Sequence, residues 1–170
     1  MRAELMESFD DPADLHALTE AAIAAILDGG GFGWVKAPNA AVVEQYYRGV
    51  LLVPERELIV GRMDGTVYGA ALLVRPSRNN EAQAHAAAMM QHFVAPYARG
   101  HGLAKLILDK TEERARTLGF SVLNLDVRNT QQGAISLYES QGFIRWGTHP
   151  AYARIKGALV PGHFYYKQLK

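Results

Sequence analysis

The chain has 170 residues, 49% of them hydrophobic, enough for one domain with a full core and too few for two. Its 18 basic residues nearly balance 17 acidic ones, so no overall field draws it to nucleic acid or an anionic membrane, and a small molecule is the expected partner. There is no cysteine, which excludes disulfide staples, thiolate metal sites and a covalent cysteine acyl-enzyme. Glu4, Glu7, Asp10 and Asp11 crowd the beginning of the chain, no apolar segment of signal-peptide or membrane-spanning length follows, and a cytoplasmic protein is expected.

Asp10-Asp11-Pro12 reads as a helix start, with Asp11 as N-cap, Pro12 in the first helical position and Asp14 in the first turn. The helix should run to about Leu27, where Gly29-Gly30-Gly31 ends it. Phe32-Gly33-Trp34 then carries two large aromatics on a flexible stretch, either a substrate lid or a surface loop with pinned rings. Asn39 caps a second helix reaching about Leu51, with Val43, Tyr46, Tyr47 and Val50 on one side, and Pro54 closes it. Glu57 to Met63, Asp64-Gly65 and Thr66 to Val74 form a hairpin pattern, two β-prone runs around an Asp-Gly turn. Pro76 to Glu81 is a polar loop. The stretch from about Ala84 to Val94 is alanine-rich and by propensity helical, yet Pro96 cannot extend a helix. An amphipathic helix begins near Leu103 and carries Leu106, Ile107, Lys110, Arg114 and Leu118, with Gly119 at its C-terminal cap. Ser121 to Val127 alternates as a strand, Gln131 to Ser140 is a short helix stopped by Gly142, Phe143 to Gly147 is a strand, and Gly162 to Leu169 is the last one. Tyr165 and Tyr166 alternate on that strand, so one of its faces could meet a second subunit, a possible homodimer, or be solvated.

The most informative segment is Val94-Ala-Pro-Tyr-Ala-Arg-Gly-His-Gly-Leu-Ala104, an extended run, a proline turn and a glycine-punctuated loop that opens into a helix. The first backbone N–H groups of that helix lack intrahelical partners and its dipole favours an anion, so a diphosphate suits the place. Gly100 and Gly102 let backbone approach such a ligand, and Arg99 adds positive charge. Arg99-x-x-Gly102-x-Ala104 matches the Arg/Gln-x-x-Gly-x-Gly/Ala acetyl-CoA signature, and Leu137-Tyr-Glu-Ser-Gln-Gly-Phe143 follows about one βαβα unit later. On these motifs, which span roughly Leu58 to Phe143, the chain resembles the GNAT superfamily of acyltransferases.

The resemblance implies an α/β (α+β) GNAT fold over residues 1–170: a single mixed, mostly antiparallel sheet of about 6–7 strands with about four helices. It makes Ala84 to Val94 the fourth strand, splayed from the fifth after a bulge, with free amides near Val94, flanked by Phe93 and Ala95, for the pantetheine and thioester. The implied activity is direct transfer of an acetyl group from acetyl-CoA to an amine, with no metal. Phe93, Val94, Arg99, Gly100, His101, Gly102, Leu103 and Ala104 are the implied cofactor contacts. Gln131 stands where the family often has an asparagine, and either it or Asn129 could reach CoA.

Acetyl transfer needs a grip on CoA, a deprotonated amine and a proton for the departing thiolate. Tyr138 stands where the family places its thiolate-protonating tyrosine, although it could instead pack over the CoA tail and hydrogen-bond the sulfur. A phenol of reference pKa about 10 protonates a thiolate of about 8.5 only where the thiolate is poorly solvated. Many family members carry a glutamate early in the fourth strand, where this chain has Ala88. The remaining base candidates are His92, His85 further back, and Asp126. Asp126 could bind the substrate ammonium or cap the next turn through Asn129 or Thr130, and His92 could be a satisfied side chain beneath the sheet. A water chain would serve in place of any of them.

Phe32-Gly33-Trp34 and His149-Pro-Ala-Tyr152-Ala are loosely similar to tabtoxin-resistance-type acetyltransferases. On that likeness Phe32, Trp34 and Tyr152 wall a compact pocket for a small zwitterionic amine, an amino-acid-like molecule or toxin. The absence of an acidic patch argues against polycationic acceptors. The alternatives are a non-catalytic acyl-CoA sensor and a GNAT enzyme acting on protein or peptide amines. A mononucleotide-binding protein fits less well, since no Gly-Lys-Ser/Thr is present.

Overall fold

The computed structural model describes residues 1–30 and 32–170; Gly31, the last of the three glycines expected to end the first helix, lies outside them. Asp11 accepts a hydrogen bond from the Ala13 amide and starts helix α1 (Pro12–Leu27), and Asn39 accepts from Val42 to start α2 (Ala40–Val50). Gly29 then takes a left-handed turn (φ +81°) that stops α1.

Seven strands make one sheet in the order β1-β2-β3-β4-β5-β7-β6, namely β1 (Arg2–Met6), β2 (Arg56–Met63), β3 (Thr66–Val74), β4 (Ala86–Val94), β5 (Val122–Arg128), β6 (Ile144–Ile155) and β7 (Ala158–Gln168). The Asp64-Gly65 turn joins β2 to β3 with both residues at positive φ (50° and 82°), as a two-residue hairpin requires. Helix α3 (Leu103–Thr117) packs on β1 to β4, and α1 packs on β3 and β4 with α2 against it. Both α1 and α3 cover β3 without packing on each other, which puts them on opposite faces of the sheet. Close approach is built in on both sides: Ala21, Ala22 and Ala25 are fully buried on α1, and Ile107 of α3 sits on Gly61 and Gly69. Helix α4 (Gln132–Ser140) buries Ile135 and Tyr138.

Alanine content does not make Ala86–Val94 helical. The strand is flanked by β3, which offers a full ladder, and its alternate residues Ala87 and Met89 are buried. Its pairing with β5 is the sheet's sole parallel contact and covers only Ala86↔Val122, Ala87↔Leu123 and Ala88↔Asn124. Beyond Ala88 the two strands part.

Three elements exceed the sequence-based expectation, the last strand because β7 begins at Ala158 and not at Gly162. Strand β1 has little β propensity of its own, and it is drawn onto β2 by Arg62, whose guanidinium bonds Glu4 and takes both oxygens of Asp14 at the start of α1. That grip holds the Asp14 carboxyl below its ordinary pKa. Strand β6 does not stop at Gly147. It continues through Pro150 to Ile155 because it is the sheet's edge, where a proline costs no ladder bond, and its register breaks around residues 145–147 and 149–153.

Gly69 lies opposite Val94, and a Cβ there would stand 2.5 Å from the Phe93 carbonyl oxygen. Gly69→Ala is expected to destabilise the protein by about 2–3 kcal/mol in urea denaturation. A loss below about 0.5 kcal/mol would show that β3 and β4 do not approach this closely.

Candidate active site

The bulge in β4 falls at Gln91, whose φ is +51°, and the β3–β4 register shifts there. The Tyr46 hydroxyl on α2 donates to the Gln91 side-chain carbonyl at 3.0 Å and holds that residue in place. Past the bulge His92 reaches the α3–α4 side, while the Phe93 ring meets Phe32 at 4.9 Å. The Ala95 amide donates to Tyr68 of β3, so the alternation of the strand turns the Val94 amide and carbonyl away from β3, toward the gap left by β5.

Two cavities open on this gap. One, of about 520 Å³, lies between the Phe32–Val35 segment, β5 and the far half of β6, and Gln91, Asp126, Tyr138, Tyr152 and Arg154 line it. The other, of about 410 Å³, lies between the phosphate-type loop and the start of α4, with Val94, Arg99, Ala104, Gln132 and Leu137 in its wall. They meet at His92, Gln131 and Ala134, which line both.

At the meeting point His92 Nε2 lies 2.9 Å from the Ala104 carbonyl oxygen and Nδ1 lies 2.9 Å from the Tyr138 hydroxyl. A carbonyl only accepts, so Nε2 carries the proton. In the neutral ring Nδ1 is then an acceptor and takes the Tyr138 hydrogen. Burial keeps the ring neutral, drawing its pKa down from 6.5 to about 4 against the upward pull of the Ala104 carbonyl. Burial likewise raises the Tyr138 phenol well above its ordinary value, and the charge of Asp126 adds to the shift.

Asp126 caps no turn. Its carboxylate accepts from the Tyr152 hydroxyl, reaching across β7 from β6. This reach depends on Gly162, because a Cβ there would fall 2.1 Å from the Tyr152 ring. The Tyr152 ring thus lies flat over β7 and forms one wall of the larger cavity.

The loop residues behave as their types suggest. Gly100 and Gly102 both sit at φ +86° with open space where a Cβ would be, and Gly102 precedes the first turn of α3. His101 is exposed there, whereas the Leu103 side chain is buried in the core and leaves only its backbone to the loop. Arg99 is not free: it pairs with Asp28 at 2.6 Å and donates through Nε to the Val94 carbonyl at 3.1 Å. Of the two amide candidates, Gln131 lines both cavities and donates to the Gly29 carbonyl. Asn129 lines neither, its backbone amide being spent on Pro161. Phe32 lines the larger cavity, but Trp34 stands behind it, stacked on Phe32 and edge-on to Tyr46 at 5.1 Å. His85 is remote from the meeting point and exposed.

Three lining residues escape sequence reasoning. Gln91 is the bulge, Arg128 donates to the Gly30 and Phe32 carbonyls, and Arg154 has no ion pair with any described residue. Only the β6 extension brings Arg154 into the cavity, so no local pattern could announce it. Among the described residues no cluster of three His, Cys, Asp or Glu is placed to hold a metal, and no helix is long and apolar enough to cross a membrane.

Residues 20–143 match the family described as "Acetyltransferase (GNAT) family". The chain is 59% identical over 119 residues, 70% of its own length and 71% of the relative's, to an uncharacterized N-acetyltransferase of the hisH-hisA intergenic region of Azospirillum brasilense. Its fold is that of a ribosomal-protein-alanine N-acetyltransferase from Brucella melitensis (TM-score 0.81, 24% identity, 99% and 100% of the two chains). The same fold occurs in the putative acetyltransferase yncA of Salmonella typhimurium, solved with its cofactor acetyl-CoA (TM-score 0.78, 22% identity, 100% and 95% covered). With its signature loop at the head of α3, its split between β4 and β5 and this match over most of its length, the chain belongs to the GNAT family of N-acetyltransferases.

Proposed function

We propose that the enzyme transfers an acetyl group from acetyl-CoA directly to the amine of a small amino-acid-like molecule, with the cytoplasm as its compartment. The observation that carries this reading is the meeting of two cavities at His92, Gln131 and Ala134, so that a donor on one side and an acceptor on the other can react in the gap. The residues present suit the donor. Gly100 and Gly102 leave the backbone bare at the start of α3, the Val94 amide faces the gap, and Arg99 can exchange Asp28 for a phosphate. The Salmonella neighbour's acetyl-CoA supports the same choice. When bound, acetyl-CoA supplies an activated thioester.

On the acceptor side Asp126 is, among the described residues, the sole carboxylate in the cavity wall and would hold the ammonium, while Arg154 offers a partner for a carboxylate. Asp126 faces Arg154 and Arg128, the latter hydrogen-bonded to the Gly30 and Phe32 carbonyls, a balance that suits a zwitterion better than a polycation. The ammonium proton leaves by water, the nitrogen lone pair forms the amide bond as the C–S bond breaks, the amide nitrogen releases its second proton to water, which restores the proton donor, and the thiolate takes a proton. Tyr138 supplies that last proton. His92 holds the hydroxyl in place through Nδ1, and a rotation about the Cζ–O bond turns the hydrogen to the sulfur. The raised Tyr138 pKa does not forbid this, because a thiolate in the same dry gap is destabilised too.

The experiment is calorimetry with acetyl-CoA, followed by a thiol-release assay over free amino acids and small amine toxins. No uptake of the donor at millimolar concentration would end the proposal. Tyr138→Phe is expected to lower kcat about tenfold or more while leaving acetyl-CoA affinity nearly intact. Unchanged turnover would take Tyr138 out of the acid role.

The neutral His92 has a consequence for stability. Its folded pKa, about 4, lies below the ordinary 6.5. Between those values the unfolded chain binds the proton and the folded one does not, so stability is full above 6.5 and declines as pH falls toward 4. From pH 7 to pH 5 the wild type should lose about 2 kcal/mol more than His92→Gln, read from urea midpoints. Equal losses would mean that His92 titrates freely.

A further inference from the structure

A second cavity of about 520 Å³ adjoins the proposed acceptor cavity on the open face of the sheet. The two share Met89, Met90, Leu125 and Asp126, so they form one continuous groove with the carboxylate at the junction. A row of rings runs along it: Tyr152 meets Phe164 at 5.8 Å and Phe164 meets Trp146 at 5.4 Å. Trp146 is 64% exposed and Met90 48%, an unusual display of large apolar surface beside a reaction site. Beyond Asp126 no Lys, Arg, Asp or Glu lines this extension among the described residues, and its other polar lining is Gln83, His85, Asn124 and the two tyrosines Tyr165 and Tyr166. The opposite wall is Ala86 and Ala88, whose small side chains leave the space open. The alanine run in β4 thus has a use that strand formation does not require, since larger β-prone residues would serve the ladder as well.

We infer that this extension is a subsite for an apolar side chain of the acceptor, resting on the reading that the adjoining cavity holds an amine. With the ammonium at Asp126, an aliphatic or aromatic side chain passes over Ala88 and ends against Trp146 and Phe164. The preferred substrates are therefore amino acids with long apolar side chains. Small polar amines and amines carrying a second charge in the side chain are poor ones, the latter because that charge would lose its water without gaining a partner.

The test is the thiol-release assay with acetyl-CoA over alanine, 2-aminobutyrate, norvaline and norleucine, for the wild type, Trp146→Ala, Trp146→Phe and Ala88→Leu. In the wild type kcat/KM should rise about threefold with each added methylene. Trp146→Ala should flatten that gradient, Trp146→Phe should keep most of it, and Ala88→Leu, which fills the groove without removing its far wall, should reverse it for the longest substrate. Acetylation of all four at one rate by the wild type would overturn the subsite and leave the amine-acceptor reading standing. Acetylation of none of them, nor of any other amine, would remove that reading and the subsite with it. A Trp146→Ala protein with an unchanged gradient that sediments as a smaller species than the wild type would also overturn the subsite, showing the face to be covered by a second copy of the chain.

Discussion

The site depends on one strand pair that stops after three residues. A parallel ladder between β4 and β5 could continue past Ala88↔Asn124, and each further rung would satisfy backbone groups on both strands. It stops because Gln91 takes a left-handed conformation, which an unbranched polar residue tolerates at moderate cost, and because Tyr46 secures its side chain from α2. The unmade rungs turn the Val94 amide toward the gap, and the same twist delivers His92 to it. The Val94 carbonyl finds a partner in Arg99, and the Val94 amide is the group that the proposed donor would meet in the gap.

Opening a sheet in its middle would loosen the two halves against each other unless something crossed the gap. Side chains from the β5 half do so. Arg128 bonds the Gly30 and Phe32 carbonyls and Gln131 bonds that of Gly29, so the segment after α1 is tied to β5 and α4. Arg99 adds a link from the phosphate-type loop to Asp28 at the end of α1. Gly29, Gly30 and Phe32 are therefore held at their carbonyls, and Phe32 also by its ring contacts. Phe32, Gly33 and Val35 of this strap line the larger cavity, and Asp28 and Gly30 line the smaller one.

Local chemistry announced much of this in the sequence, and long-range pairing announced little. Asp11-Pro12, Asn39 and Asp64-Gly65 each act within a few residues, and each stands where its type predicts. Arg99-Gly-His-Gly102 is likewise a local instruction about backbone angles. By contrast, β1 exists because Arg62, 58 residues from Glu4, offers it a charge, and β6 tolerates Pro150 because the strand lies at an edge. Asp126 and Tyr152 were each singled out from sequence, but their bond spans 26 residues and depends on a glycine on a third strand, Gly162. The His92–Tyr138 pair is of the same kind, since the bulge that turns the histidine leaves no signature in the surrounding run of Met-Met-Gln-His-Phe. Trp34 shows the converse: its size marked it for the pocket wall, and packing placed it one layer back.

The missing glutamate at Ala88 gains sense from the charges around it. A carboxylate there would sit near Asp126, and two acids in one partly dry groove would raise each other's pKa and favour acceptors with two positive charges. With alanine in that place the groove keeps one acid, and of the two guanidiniums in the adjoining wall Arg128 is committed to the strap, so Arg154 alone remains to balance Asp126. The proposed zwitterion would meet Asp126 with its ammonium and Arg154 with its carboxylate, which would offset its desolvation at both ends. In the proposed reaction the base that the glutamate would have been is replaced by water reaching the amine. Under the proposed reaction acceptor choice and proton removal are coupled through Asp126, whose carboxylate also accepts from the Tyr152 hydroxyl.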